Sequence, residues 1–170
     1  RHIGVPLRDV AGSPLYGVKT GFNEAFVVDS QQRDSLIEED QSCASLMRPF
    51  LRGQDIDRWA SEWANRSLIL LTCSSGNSPW PWSNLIGEAA EECFSRTYPS
   101  IYRRFSLFKD KLMAREDQGR FWWELRPCAY YDSFEQPKII YQEIQYYPAY
   151  ALDTGGKILN NKGFLIRSAD

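Results

Sequence analysis

Two glycines, Gly17 and Gly21, bracket a lysine and a threonine, and an apolar run, Ala25–Val28, follows almost at once. Glycine lets a backbone turn tightly and approach another segment or molecule closely. The chain is therefore constrained to enter its first regular element through a tight turn. In such a turn Lys19 and Thr20 offer a positive charge, a hydroxyl and exposed amides, a set suited to a phosphate. The other reading is a plain loop entering a buried strand. A second punctuated stretch follows at Pro49-Phe50-Leu51-Arg52-Gly53-Gln54-Asp55-Ile56.

With 170 residues, 43% of them hydrophobic and 25% charged, the chain reads as one soluble globular domain over residues 1–170. No apolar run approaches membrane length, and Leu68–Leu71 suits a buried strand. The sequence opens on Arg1 without a signal-peptide pattern, so it reads as a piece of a longer, cytoplasmic protein. Cys43, Cys73, Cys93 and Cys128 are dispersed with no Cys-x-x-Cys pair, and His2 is the one histidine. That argues against a zinc site and for buried thiols.

Apolar periodicity gives strands at 25–28, 55–59 and 67–72, a short helix-like segment at 41–47, and a loop at 74–83. A helix capped by Asn84 places Leu85, Ala89 and Cys93 beside Ile86, Ala90 and Phe94. A second starts near Pro99 and aligns Ile101, Phe105, Phe108 and Leu112 in one stripe. Strands at 121–126, 137–144 and 147–152 follow, with hairpin turns expected at Asp153–Gly156 and Asn160–Gly163. The sum is an α+β domain with a mixed or antiparallel sheet and a few helices.

The formal net charge of −2 counts against nucleic-acid binding, since isolated DNA-binding domains are usually basic. From Tyr98 to Arg126, however, seven cations stand against four acids, a local +3. On a single helical wheel Arg104, Lys111 and Arg115 line one edge of the apolar stripe. They either track a phosphate strand or form a solvated flank whose stems cover apolar surface. Trp122 and Trp123, if in a strand, face opposite sides, one buried and one presented. Tyr141-Gln142-Glu143-Ile144-Gln145 has side chains that read bases: glutamine pairs with adenine edges and glutamate accepts from cytosine. An amphipathic strand with a solvated polar face fits that pattern equally.

No catalytic set is complete. The glycine-rich turn that binds S-adenosylmethionine and the Asn-Pro-Pro-Tyr-like loop of an adenine methyltransferase are both missing, and Asn77-Ser78-Pro79-Trp80 has serine at the first proline position. Gly155-Gly156-Lys157 lacks the spacing of a P-loop, and Glu143-Ile144-Gln145 has glutamine where a nuclease places lysine. With no histidine beyond His2, no serine or cysteine nucleophile has a base. The segment itself is assigned no catalytic residue, metal or cofactor, and binding is the function left.

The ordered series Gly17-Val-Lys-Thr-Gly-Phe-Asn-Glu-Ala-Phe26, Arg52-Gly-Gln-Asp-Ile56, Tyr98-Pro99, Lys109-Asp-Lys-Leu112, Arg115, Trp122-Trp-Glu-Leu125, Pro137-Lys-Ile-Ile140 and Phe164-Leu-Ile166 resembles the TaqI-like C-terminal specificity domain. That domain recognises the target in adenine-specific DNA methyltransferases and type IIG restriction-modification enzymes. The resemblance implies a curved sheet assembly bound to double-stranded DNA. It also implies an N-terminal methyltransferase domain in the same chain, with S-adenosylmethionine bound there. Carried onto this sequence, it places Lys19, Thr20 and Asn23 at a glycine turn facing DNA and Arg52 at a second contact. Taken with the residue chemistry above, Arg104, Lys111, Arg115 and Lys138 are expected to hold phosphates, and Trp122 or Trp123, Arg126, Gln142 and Glu143 to read bases. Two other classes stay open: an aromatic-rich carbohydrate- or peptide-binding module, and a free-standing specificity subunit that recruits a catalytic chain.

Overall fold

Short helices and strands alternate along the chain in a computed structural model that describes residues 4–75 and 80–167. In order they are α1 (Leu7–Ala11), β1 (Leu15–Tyr16), α2 (Asn23–Phe26), β2 (Val27–Val28), α3 (Ser30–Glu39), β3 (Met47–Leu51), β4 (Ile56–Asp57), β5 (Ala60–Ser61) and β6 (Ser67–Ile69). There follow α4 (Gly87–Thr97), α5 (Pro99–Ser106), α6 (Lys109–Met113), β7 (Lys138–Gln142), β8 (Tyr150–Asp153), β9 (Ile158–Leu159) and β10 (Gly163–Arg167). This is an α+β fold of mixed sheets with a few helices, as the periodicity predicts. The chain divides into two compact units: the described residues within Arg1–Val18, Pro49–Ala64 and Tyr130–Asp170, and those within Lys19–Arg48 and Asn65–Ala129.

The first unit is organised by an antiparallel sheet in the order β1-β10-β7-β8. Alternation along β7 and β8 sorts the faces: Lys138, Ile140, Ala151 and Asp153 are buried, whereas Ile139, Tyr150 and Leu152 are exposed. Lys138 and Asp153 are directly opposite in the register, and their ion pair, 2.5 Å long, lies wholly inside. Across the outer face runs a row of rings, Tyr16–Phe164–Tyr141–Tyr150, with successive centroids 4.5, 5.3 and 5.3 Å apart.

Neither expected hairpin forms. The turn after β8 wraps the Asp153 carboxylate, which accepts from the amides of Gly155 and Lys157. β9 then pairs in parallel with the end of β3 through Phe50↔Ile158 and Leu51↔Leu159. The turn at 160–163 carries the chain from β9 into β10, closed by the Gly163 amide on the Asn160 carbonyl at 3.0 Å. Gly17 packs against that turn. A β-carbon there would lie 1.9 Å from the Asn160 carbonyl oxygen, so only glycine fits. The strand expected over 55–59 is reduced to β4 and interrupted at Trp59, whose φ is 69°.

The second unit departs further from the sequence reading. The apolar run 25–28 splits into the last two residues of α2 and strand β2, which pairs with β6 through Val27↔Leu68 and Val28↔Ser67. A short apolar run does not by itself separate helix from strand. The ten-residue α3 goes unpredicted because it buries no side chain and has no apolar stripe. Its start is fixed instead by reciprocal bonds between Asp29 and Gln32, a capping box. The next helix begins at Gly87 rather than beside Asn84, because the Ser83 and Leu85 amides are held in turns by the Trp80 and Trp82 carbonyls. It buries Ala90 and Phe94, and Ile86 stays exposed. The helix from Pro99 breaks after Ser106 and resumes at Lys109, so its cations do not share one wheel. The 118–126 stretch is a set of turns around the buried Glu124, whose carboxylate accepts from Ser74, Arg120 and Phe121 amides and the Trp82 indole. Trp122 and Trp123 are consequently both buried. Trp123 stacks on Phe94 and Phe121 at 5.0 and 4.6 Å.

Candidate nucleic-acid interface

Two segments ninety residues apart in sequence meet in the first unit. The 3-10 turn Gly53–Asp55 begins just after Arg52, whose amide donates to the Asp55 carboxylate at 2.7 Å. Gly53 approaches the 160–163 turn so closely that a β-carbon would stand 2.7 Å from the Lys162 carbonyl oxygen. Its amide donates to Asn160 Oδ1 at 3.2 Å. Gln142, the last residue of β7, donates to the Ile56 carbonyl at 3.1 Å, which fixes its side chain against β4. Glu143 follows, its amide bonded to the Lys162 carbonyl and its carboxylate paired with Lys162 Nζ at 3.3 Å.

These residues shape two grooves. One, of about 230 Å³, is lined by Arg52, Glu143, Asn160 and Lys162. The other, of about 750 Å³, is lined by Asp55, Asp57, Glu62, Tyr146 and Tyr147 among others. Gln54, Gln142 and Ile144 line both and form the ridge that separates them. Ile144 is 83% exposed and Tyr146 fully so, which leaves an apolar crest on a polar surface. The arrangement offers amide and carboxylate groups for donor–acceptor recognition, flanked by cations on one side. Among the described residues no cluster of His, Cys, Asp or Glu is disposed to hold a metal, and no helix is long and apolar enough to cross a membrane.

Of the residues singled out in the sequence, Arg52, Gln142 and Glu143 are thus brought together. Lys19 and Arg126 meet elsewhere, on the two oxygens of Asp117 at 2.6 and 3.3 Å. The hydrogen bond from Lys19 holds the Asp117 carboxyl below the usual range. Asn23 is exposed at the start of α2, and Thr20 is buried, its hydroxyl bonded to Asn23 Oδ1 at 2.6 Å. Lys111 is exposed, with Nζ 5.2 Å from the Phe22 ring centre.

Other assignments need correction. Arg115 is buried, and its guanidinium donates to the carbonyls of Thr20, Trp122 and Glu124 at 2.6, 2.7 and 3.0 Å, besides that of Leu112 at 3.1 Å. Burial lowers its pKa to about 10. Arg104 donates to the carbonyls of Glu24, Ala25 and Val27, satisfying the end of α2. Lys138 is sealed against Asp153 and the Phe134 carbonyl. Trp122 and Trp123 are core, Trp122 donating its indole N–H to Glu91 at 3.3 Å. All five side chains are engaged in holding the fold. The local +3 stretch is likewise occupied: Arg103 pairs with Glu39, Lys109 with Glu91, and Arg120 donates to the Ser83 and Leu85 carbonyls.

Sequence reasoning missed Gln54, Asn160 and Lys162. Gln54 stood inside the Arg52–Ile56 segment and Lys162 inside a segment read only as a turn, so the signal was present but assigned to geometry.

No protein-family profile matches the sequence, and neither does any curated protein. Among solved structures, the fold is similar to a segment of the Type IIL restriction-modification enzyme MmeI in complex with DNA, with a TM-score of 0.61 at 13% identity. The match covers 93% of this chain and 19% of that one, so the chain spans about a fifth of the length of the enzyme whose fold it shares.

Proposed function

We propose that the chain is a DNA-recognition domain of a restriction-modification enzyme. The observation that carries this reading is the convergence of Arg52, Gln142 and Glu143 on one ridge-and-groove surface. Arg52 comes from a segment of the family resemblance, Gln142 and Glu143 from the base-reading chemistry of Tyr141–Gln145, and the fold likeness to MmeI supports the reading. Glutamines on the ridge and Glu143 in the smaller groove match adenine and cytosine edges, and arginine beside them matches a phosphate or a guanine. In its finer form the proposal makes this a TaqI-like specificity domain of an adenine-specific methyltransferase acting in the cytoplasm. A separate N-terminal domain would bind S-adenosylmethionine and transfer the methyl group while the target base is out of the stack. This segment contributes recognition, not chemistry.

The test is a salt titration of duplex binding by the chain and its Arg52→Ala variant. Loss of one phosphate contact flattens the slope of log K against log salt by about 0.9. Identical slopes would remove Arg52 from the interface. A second reading, a carbohydrate-binding module, is favoured by the row Tyr16–Phe164–Tyr141–Tyr150 on the outer sheet face. An intrinsic-fluorescence response to oligosaccharides with none to duplex would select it.

A further inference from the structure

The two grooves beside the Gln54–Gln142–Ile144 ridge differ in charge. Among the described residues, Arg52 and Lys162 line the smaller, with Glu143 their one acidic neighbour there; Asp55, Asp57 and Glu62 line the larger, and no described cation does. A ridge set into a duplex groove meets a sugar-phosphate strand on each side, because the grooves are bounded by both strands. Resting on the DNA-recognition reading above, we infer that this division of charge is an orientation filter. One phosphate strand lies along Arg52 and Lys162. The carboxylates of the larger groove repel the other strand, leaving that groove to base amino groups, which donate to carboxylates. Glu143 acts in the same sense: paired with Lys162 at 3.3 Å, it lowers the attraction of that lysine for any phosphate that arrives without a base donor. The acids therefore weaken binding to arbitrary sequence and set polarity, a repulsive contribution to specificity.

Variants of opposite sign test it. A duplex selected from a randomised pool by the unaltered chain is compared with random duplex at 50 and 200 mM salt. Glu62→Gln and Lys162→Gln change exposed side chains. Asp132→Asn, an exposed acid of the same unit outside both grooves, is the control for overall charge. Glu62→Gln is expected to tighten random-duplex binding about threefold at the lower salt and to shrink the selected-to-random ratio, with the gain fading at the higher salt. Lys162→Gln is expected to weaken both duplexes and flatten the salt slope by about 0.9. Asp132→Asn is expected to leave the ratio unchanged. If the unaltered chain retains duplex but Glu62→Gln leaves the ratio where it was, or Asp132→Asn shifts it equally, the filter is overturned and the recognition reading stands. If the unaltered chain retains no duplex, both fall.

Discussion

In the unit made of residues 19–48 and 65–129, Arg104, Arg115 and Arg120 point at main-chain carbonyls, and Trp82, Trp122 and Trp123 are buried. In the unit made of 1–18, 49–64 and 130–170, Arg52 and Lys162 remain on the surface, as do Trp59, Tyr146 and Tyr147. The same residue types are scaffold in one unit and candidate contact in the other. What separates them is the supply of unpaired backbone. The second unit has turns and short helices whose carbonyls lack intrahelical partners, and guanidinium groups satisfy them. The first unit builds its longest elements into the sheet β1-β10-β7-β8, and among its described cations Lys138 alone is buried.

The contrast breaks most readily at Arg115. Arg115→Ala removes the guanidinium donor from the carbonyls of Thr20 and Trp122, and one of the donors from those of Leu112 and Glu124, and is expected to cost about 3–5 kcal/mol. Chemical denaturation measures this, and a loss below about 1 kcal/mol would mean that the guanidinium is not scaffold. Lys138→Met strands the buried Asp153 with Lys157 alone for a counter-charge, at an expected cost of about 3 kcal/mol in the same assay.

Acid sharpens the comparison next. Burial pushes the Asp153 carboxyl up, but Lys138 and Lys157 outweigh it and hold it low; Asp117 is held low chiefly by Lys19. Both are depressed in the folded state, so their stabilisation is complete above the ordinary carboxylate pKa of about 4 and is lost as pH falls through the lower folded values. Thermal melts should be flat from about pH 7 to 5 and fall below about pH 4. The fall should be blunted more by Asp153→Asn than by the more exposed Asp117→Asn, each referred to its own value at neutral pH. The smallest effect is expected at Arg52→Ala, within about 0.5 kcal/mol of unaltered stability while duplex binding weakens.

The fold class was legible because alternating apolar residues mark β7 and β8 whatever surrounds them. The missed α3 shows the limit of that signal: a helix held by its cap and lacking an apolar stripe leaves only Asp29 and Gln32 as a trace. Within the candidate site, residue chemistry pointed to Gln142 and Glu143 and the family resemblance to Arg52, and the fold brings the three together. Arg104, Arg115 and Lys138 were not separable from them, since a cation that caps carbonyls and one that meets phosphate look alike until burial is known. The split of the helix at 107–108 has no cue that we can identify in its residues.

Asn160 has a wider consequence. Its amide bonds Leu51, its carbonyl abuts Gly17 and closes onto Gly163, and its side chain takes the amides of Gly53 and Lys162. One residue thereby registers three stretches of chain through its own side chain and the backbone and glycines of its neighbours. The side chains at 52, 54, 142, 143 and 162 are left out of that joint, apart from the single bond of Gln142 to Ile56. Under the proposed function, specificity would be rewritten by exchanging surface letters on an unchanged frame, with these five positions the place to graft and Asn160 the place to leave alone.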